Sequence, residues 1–224
     1  MRMIGIVRRN SGYRVARSLV RHELVLLASL VRWVARRPHG VGEEGARAYG
    51  YARGQGAMML GFGFVCVVET VTMSVLLHDF PLVHSVFLAL DLYTVLIVAG
   101  LHAASVTRPH VLTATTLRLR RFATVDLCVP LSAVASVRRE LRKTHEKRDG
   151  QLDMEIGSQT TVTMELRELA EPVAYLTLFG RRREVRLVRF HADESEQLVR
   201  TIGEFMSEVT PERSAPSPLP VRPA

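Results

Sequence analysis

Glu69 and Asp91 are solitary carboxylates inside two long apolar runs. Between Gly54 and Leu77 the only ionisable side chains are Cys66 and Glu69; from Phe80 to Thr107 the only carboxylate is Asp91, accompanied by His84, Tyr93 and His102. Glu69 lies ten residues before Asp79 and Asp91 eleven after Phe80. In an antiparallel helical hairpin that spacing sets both acids at nearly one depth, about 15 Å from the turn at ~1.5 Å per residue. A lone ionised carboxylate in hydrocarbon costs on the order of 2.5–3.5 kcal/mol, and two neighbouring ones resist ionising together. The expected arrangement is a facing pair sharing one proton, or a pair turned to the interior of an oligomer. A proton or cation path is the other use of such groups. His84 and His102 share the face of Asp91 but sit about 10 and 16 Å from it along the axis, beyond direct contact.

A second charged constellation is Arg138, Arg139, Arg142, Lys143, Lys147 and Arg148, interrupted only by Glu140 and Glu146. Basic residues near an anionic lipid surface contribute about 1 kcal/mol each, so this segment can touch headgroups; a solvated loop is the plainer use. The Arg181-Arg182-Arg183 tip reads likewise. No phosphate-cradling glycine loop, His-Glu-x-x-His helix or nucleophile elbow is present. No catalytic residue, metal ligand or cofactor is therefore expected, and the chain is not expected to be an enzyme. Cys66 and Cys128 have neither disulfide nor metal-ligand spacing. His191 and Asp193 fall at a strand-to-helix junction, where capping accounts for the Asp. Aromatic residues outside the apolar runs are sparse and show no stacking pattern, which argues against nucleic acid.

The elements that carry the acids are two helices. Each run holds about 20 or more mostly apolar residues, enough for a ~30 Å hydrocarbon core. His78-Asp79-Phe80-Pro81 separates them. A transmembrane hairpin over 57–106 is expected, with helices at about 57–77 and 82–105. Gly61, Gly63 and the pairs Ala99/Ala103 and Gly100/Ala104 suit close packing within it or between copies. Residues 1–56 carry eleven Arg against three Glu, whereas 57–107 carry three acids and no Lys or Arg. That asymmetry predicts both termini in the cytoplasm and the short turn outside. Of the 30 basic residues 28 are Arg; the type suits phosphate binding, but a GC-rich genome is the plainer explanation.

Ahead of the hairpin, residues 1–13 read as a basic, irregular N-terminus. An amphipathic helix is expected over 14–37. Val20, Leu24, Leu27, Val31 and Val34 form its stripe, and Arg14, Arg21 and Arg32 its opposite side. Such a helix lies in a membrane interface, or packs on the soluble domain or a partner helix. Residues 38–56 form a Gly-rich linker.

After Arg108-Pro109 the apolar period becomes two: Leu117/Leu119, Val125/Leu127/Val129, Leu152/Met154/Ile156, Val162/Met164/Leu166 and Val188/Phe190. Short strands with turns at Asp149-Gly150 and Gly180-Arg181 predict an antiparallel sheet or barrel. Asp193 with Glu196 is a variant capping box for a closing helix with the stripe Leu198, Ile202, Phe205, Met206 and Val209. Residues 210–224 carry five prolines and are expected to be disordered.

The segments His110-Val-Leu-Thr-Ala-Thr-Thr-Leu-Arg-Leu-Arg120 and Val125-Asp-Leu-Cys-Val-Pro-Leu-Ser-Ala-Val-Ala-Ser-Val137 resemble the opening of bacterial pleckstrin-homology-like (PH-like) domains. The close, Val188-Arg-Phe-His-Ala-Asp193 into a helix, is similar too. Such domains often follow a pair of membrane helices. The resemblance covers about 57–209 and implies an antiparallel β-barrel with one C-terminal helix over 108–209. It also implies an interaction or assembly module without catalytic residues. The reading is an α+β membrane protein of the bacterial inner membrane, non-enzymatic, with a protein partner or self-association and a possible contact to anionic headgroups. A small transport or proton-coupled component using Glu69 and Asp91 is the alternative.

Overall fold

The computed structural model describes residues 3–42, 45–146, 148–168 and 171–209, so Lys147 and the tail 210–224 lie outside the described residues. Helix α1 (Met3–Val34) leads through β1 (Arg47–Tyr49) to α2 (Gly56–Leu76) and α3 (Pro81–Thr107). Residues 3–13 are helical, in place of the irregular start expected. They contain no proline, and their Arg, Met, Ile and Val all tolerate a helix. Pro81 opens α3 at its first turn, where a missing N–H costs nothing.

Helices α2, with 21 residues, and α3, with 27, are each long and apolar enough to cross a membrane. They pack antiparallel along a seam of alternating three- and four-residue spacing. Met59, Gly63, Cys66, Thr70 and Met73 on α2 and His84, Leu88, Asp91, Val95, Val98 and His102 on α3 are the less exposed positions at that spacing. Gly63 faces Val98, and His84 Nε2 lies 3.2 Å from Ser74 Oγ. The outer faces are bare: Val75 is 74% and Leu82 79% exposed. A soluble protein rarely leaves so much contiguous apolar surface uncovered.

Helix α1 has three working faces. Ser18, His22 and Val25 border a groove shared with the β-domain. Leu26 and Trp33 turn to α3. A Cβ on Gly100 would stand 3.1 Å from Leu26 Cβ, the Trp33 ring meets His102 edge-on at 5.5 Å, and Tyr93 Oη donates to Glu23 Oε1 at 2.9 Å. The stripe Val20, Leu24, Leu27, Val31 and Val34 points outward, 44–78% exposed. Of the expected settings, packing within the protein is the one observed, against α3 of the hairpin. The helix packs on its own protein and still offers an apolar stripe to its surroundings.

The chain then forms β2 (His110–Leu112), β3 (Thr116–Arg121), β4 (Val125–Pro130), β5 (Val134–Arg142), β6 (Gln151–Met154), β7 (Thr160–Leu166), β8 (Ala174–Leu176), β9 (Arg182–Glu184), β10 (Leu187–Phe190) and α4 (Ser195–Val209). One four-stranded sheet runs β1-β2-β3-β4 and another β5-β7-β10-β6, while β8 and β9 pair alone. The sheets do not close into the expected barrel. Nor is pairing wholly antiparallel, because β10 lies parallel to β6, Val188 opposite Leu152. Closure would need β4 or β1 to bond an edge of the second sheet. Instead the chain crosses at Leu131–Ala133, a 3₁₀ turn, and the two sheets face each other across one core. Leu117, Leu119, Leu127 and Val129 meet Val162, Met164, Val188 and Phe190 there, and Leu198 and Ile202 of α4 cover it. Strand β1 comes from the linker ahead of the hairpin and pairs with β2, bringing Tyr49 into this core. The domain therefore draws on residues before 108 as well as after.

Candidate functional site

The two hairpin acids occupy different environments. Along the seam Gly63 meets Val98 and Ser74 meets His84, so Glu69 and Asp91 stand at similar depth. Asp91 lies in the seam itself, and its Oδ2 is buried without a hydrogen-bond partner. Glu69 falls beside the seam positions Cys66, Thr70 and Met73 and is exposed. Among the described residues no hydrogen bond joins the two carboxyl groups. An unpartnered buried oxygen carries a penalty of about 1–3 kcal/mol, so Asp91→Leu is expected to raise the thermal stability of the detergent-solubilised protein. A clear fall in melting temperature would show that Asp91 has a partner.

The basic segment falls on β5 and the loop after it, and most of its charge is paired. Arg138 bonds Glu165 at 2.8 Å, Arg142 meets Glu140 at 3.0 Å, and Arg148 meets Glu146 at 2.7 Å. Arg139 stands 3.7 Å from Glu196. Lys143 is exposed. These pairs leave less free charge for headgroups than the sequence suggests.

The densest polar assembly lies where α3 enters the domain. Burial alone would raise the Asp126 carboxyl, but the Arg118 hydrogen bond and the charges of Arg118, Arg120 and Arg108 hold it below the usual carboxylate range. Arg118 binds it by two bonds, Nε at 2.7 Å and Nη2 at 3.0 Å. Arg108 reaches it at 3.1 Å and donates to the Phe122 carbonyl at 3.0 Å. Arg120, 1% exposed, donates to the His39 carbonyl at 2.9 Å and stands 3.9 Å from Asp126. Desolvation lowers both Arg108 and Arg120, and Asp126 offsets it only in part. The asymmetry has a simple cause: one carboxylate gains from three guanidiniums, whereas each guanidinium has a share of one carboxylate. The assembly keeps an excess of positive charge.

Around it the linker is sealed to the sheet. Gly40 takes φ +75°, and a Cβ there would stand 2.7 Å from Arg120 Nη2, so both conformation and space require glycine. Tyr51 stacks on His110 at 4.9 Å and its hydroxyl accepts the Phe122 N–H at 2.9 Å. Burial pushes the Tyr51 hydroxyl up to about 12, although the Phe122 N–H and the charges of Arg108, Arg120 and Arg121 pull the other way. Asp193, expected as a helix cap, instead accepts the Arg53 backbone N–H at 3.2 Å. Its acceptor capacity ties the linker to the β10–α4 junction.

His110 is 1% exposed, with Nε2 2.9 Å from the His191 carbonyl and Nδ1 3.2 Å from the Arg120 backbone N–H. Only the neutral ring with its proton on Nε2 satisfies both neighbours. Burial lowers its pKa to about 4. The unfolded chain takes up this proton near the ordinary 6.5 while the folded chain refuses it until about 4. The stabilisation is therefore complete above pH 6.5 and is lost as pH falls through that window, by on the order of 3 kcal/mol. Burial also lowers His191, in the same direction. Thermal unfolding of the solubilised chain is expected to weaken steadily from pH 7 to 4.5, and His110→Gln to flatten that slope. A wild-type melting temperature constant over the interval would contradict it.

The residues missed by sequence reasoning are Arg108, Arg120, Asp126, Tyr51 and His110. One signal was available. Asp126 and Arg120 are directly opposed in the β3–β4 hairpin, a cross-strand charge pair readable from its turn at 122–124. The described residues hold no group of three His, Cys, Asp or Glu able to bind a metal. No protein-family model, curated protein or solved structure matches the chain.

Proposed function

We propose that the chain is a non-enzymatic integral membrane protein of the bacterial inner membrane. In this reading the α2–α3 hairpin spans the bilayer, both termini are cytoplasmic, and the β-domain is a PH-like module. The module binds another protein or orders an assembly at the membrane surface. The observation that carries the reading is the continuity of apolar surface. The bare outer faces of α2 and α3 extend through Trp33 and Val34 into the outward stripe of α1. An apolar belt with a junction of buried arginines beside it suits a domain held at a fixed attitude over a bilayer. The succession of short strands closed by one amphipathic helix supports the PH-like assignment. So does a hairpin placed directly ahead of it.

The test is photo-crosslinking in cells, with a reactive residue placed at exposed positions such as Arg139 on β5 and Glu204 on α4. Discrete products clustered on one face of the domain are expected. Their absence from every face would remove the interaction role. A second reading, proton coupling, is favoured by the unpartnered Asp91 Oδ2 in the seam. Proton flux in proteoliposomes that is lost in Asp91→Asn would select it.

A further inference from the structure

We infer that the groove between α1 and the first sheet is a binding site for a phosphate-bearing anion. It encloses about 530 Å³ and is walled by Ser18, Arg21 and His22 of α1 on one side. Arg108, Arg118 and Arg182 face them from the domain, and Asp126 is the only carboxylate in the wall. Two observations converge on an anion. The first is charge: four guanidiniums border the groove against one carboxylate, and that carboxylate is already shared by Arg108, Arg118 and Arg120. Neither Arg21 nor Arg182 is paired with an acid among the described residues. The second is poor solvation of that charge: Arg108 is 5% exposed, and Asp126 offsets its burial only in part.

Arg is the side chain suited to this task, since its planar fork matches two oxygens of one phosphate. Asp126 holds Arg108 and Arg118 in place before any ligand arrives, so little side-chain freedom remains to be lost on binding. Arg21 and Arg182, both exposed, approach from opposite walls and can close on the ligand. A neighbouring cleft of about 820 Å³ sets Asp153 and Glu155 against its four arginines and so carries a smaller positive excess. The groove lies beside α1, whose far side carries the outward apolar stripe. The anion can therefore be a lipid headgroup or a soluble phosphate compound, and the inference stands whether or not the domain also binds a protein.

The experiment uses the full chain purified in a neutral detergent at about 150 mM salt, where the Debye length is about 8 Å and unspecific attraction is damped. Binding of dihexanoyl-phosphatidylglycerol, dihexanoyl-phosphatidylcholine and inorganic pyrophosphate is measured by calorimetry. The wild type is compared with the double variant Arg21→Gln/Arg182→Gln, which leaves the Asp126 assembly intact, and with Arg200→Gln on exposed α4. At least one anionic probe is expected to bind the wild type and Arg200→Gln alike, and at least about tenfold more weakly to the double variant. Phosphatidylglycerol alone identifies a headgroup site; pyrophosphate, with or without the lipid, identifies a phosphate site open to soluble ligands. Failure of both anions to bind, equal binding of phosphatidylcholine, or undiminished binding to a double variant with the wild-type circular dichroism spectrum would overturn the inference.

Discussion

Asp126→Ala is expected to cost about 3–5 kcal/mol of folding stability, the range for removing one partner of a buried ion pair. The loss comes from what remains. Arg108 and Arg120 are 5% and 1% exposed and would keep their charges with no anion beside them. Their Nε groups already lack partners, so no spare acceptor is at hand. The His39, Pro109 and Phe122 carbonyls take part of the hydrogen bonding, but they carry no net charge. Arg118 binds the same carboxylate from a half-exposed position, where water screens the pair, and Arg118→Ala should cost less than about 1 kcal/mol. Chemical denaturation of the solubilised chain, followed by circular dichroism, separates the two substitutions. Equal and small losses would mean that Asp126 does not neutralise the buried arginines.

Ile202→Ala should be the next most damaging change, at about 2–5 kcal/mol. Ile202 is fully buried on the face of α4 that covers both sheets, among Leu198, Val134 and Phe190 of one core. Phe205, one turn on, is only partly buried against that core and also carries the Arg47 guanidinium 5.8 Å above its ring. Its truncation should therefore cost less than that of Ile202, despite its greater volume. Melting temperatures of the two variants test the order. A larger loss for Phe205→Ala would place the core boundary one helical turn further along α4.

What could be read in advance follows from how locally each feature is encoded. The two apolar helices and the α4 stripe are patterns within one element, and the structure reproduces the helices and, in the stripe, Leu198, Ile202, Phe205 and Met206. The alternation in β3 and β4 likewise places Leu117, Leu119, Leu127 and Val129 inward. It fails at Arg120, an outward position that is nevertheless buried because residues 39 and 40 lie across it. No alternation within a strand can report a cover supplied from 80 residues away. The same distance hid β1: Arg47-Ala48-Tyr49 is too short to register as a strand until β2 offers it an edge. Barrel closure was expected from strand number, whereas closure depends on edge pairing, which strand patterns do not encode. The acids show the limit of depth reasoning. Spacing from the turn put Glu69 and Asp91 level, but rotation about each helix set one in the seam and the other outside it.

The orientation of the hairpin is tested most directly by thiol labelling in intact cells. Native Cys128 is exposed on the β-domain, Cys66 is buried in the hairpin seam, and Asp79 lies in the turn between α2 and α3. A membrane-impermeant maleimide is expected to label Asp79→Cys in intact cells and to reach Cys128 only after lysis. Labelling of Cys128 in intact cells, with Asp79→Cys silent until lysis, would contradict a hairpin that holds the β-domain on the cytoplasmic side.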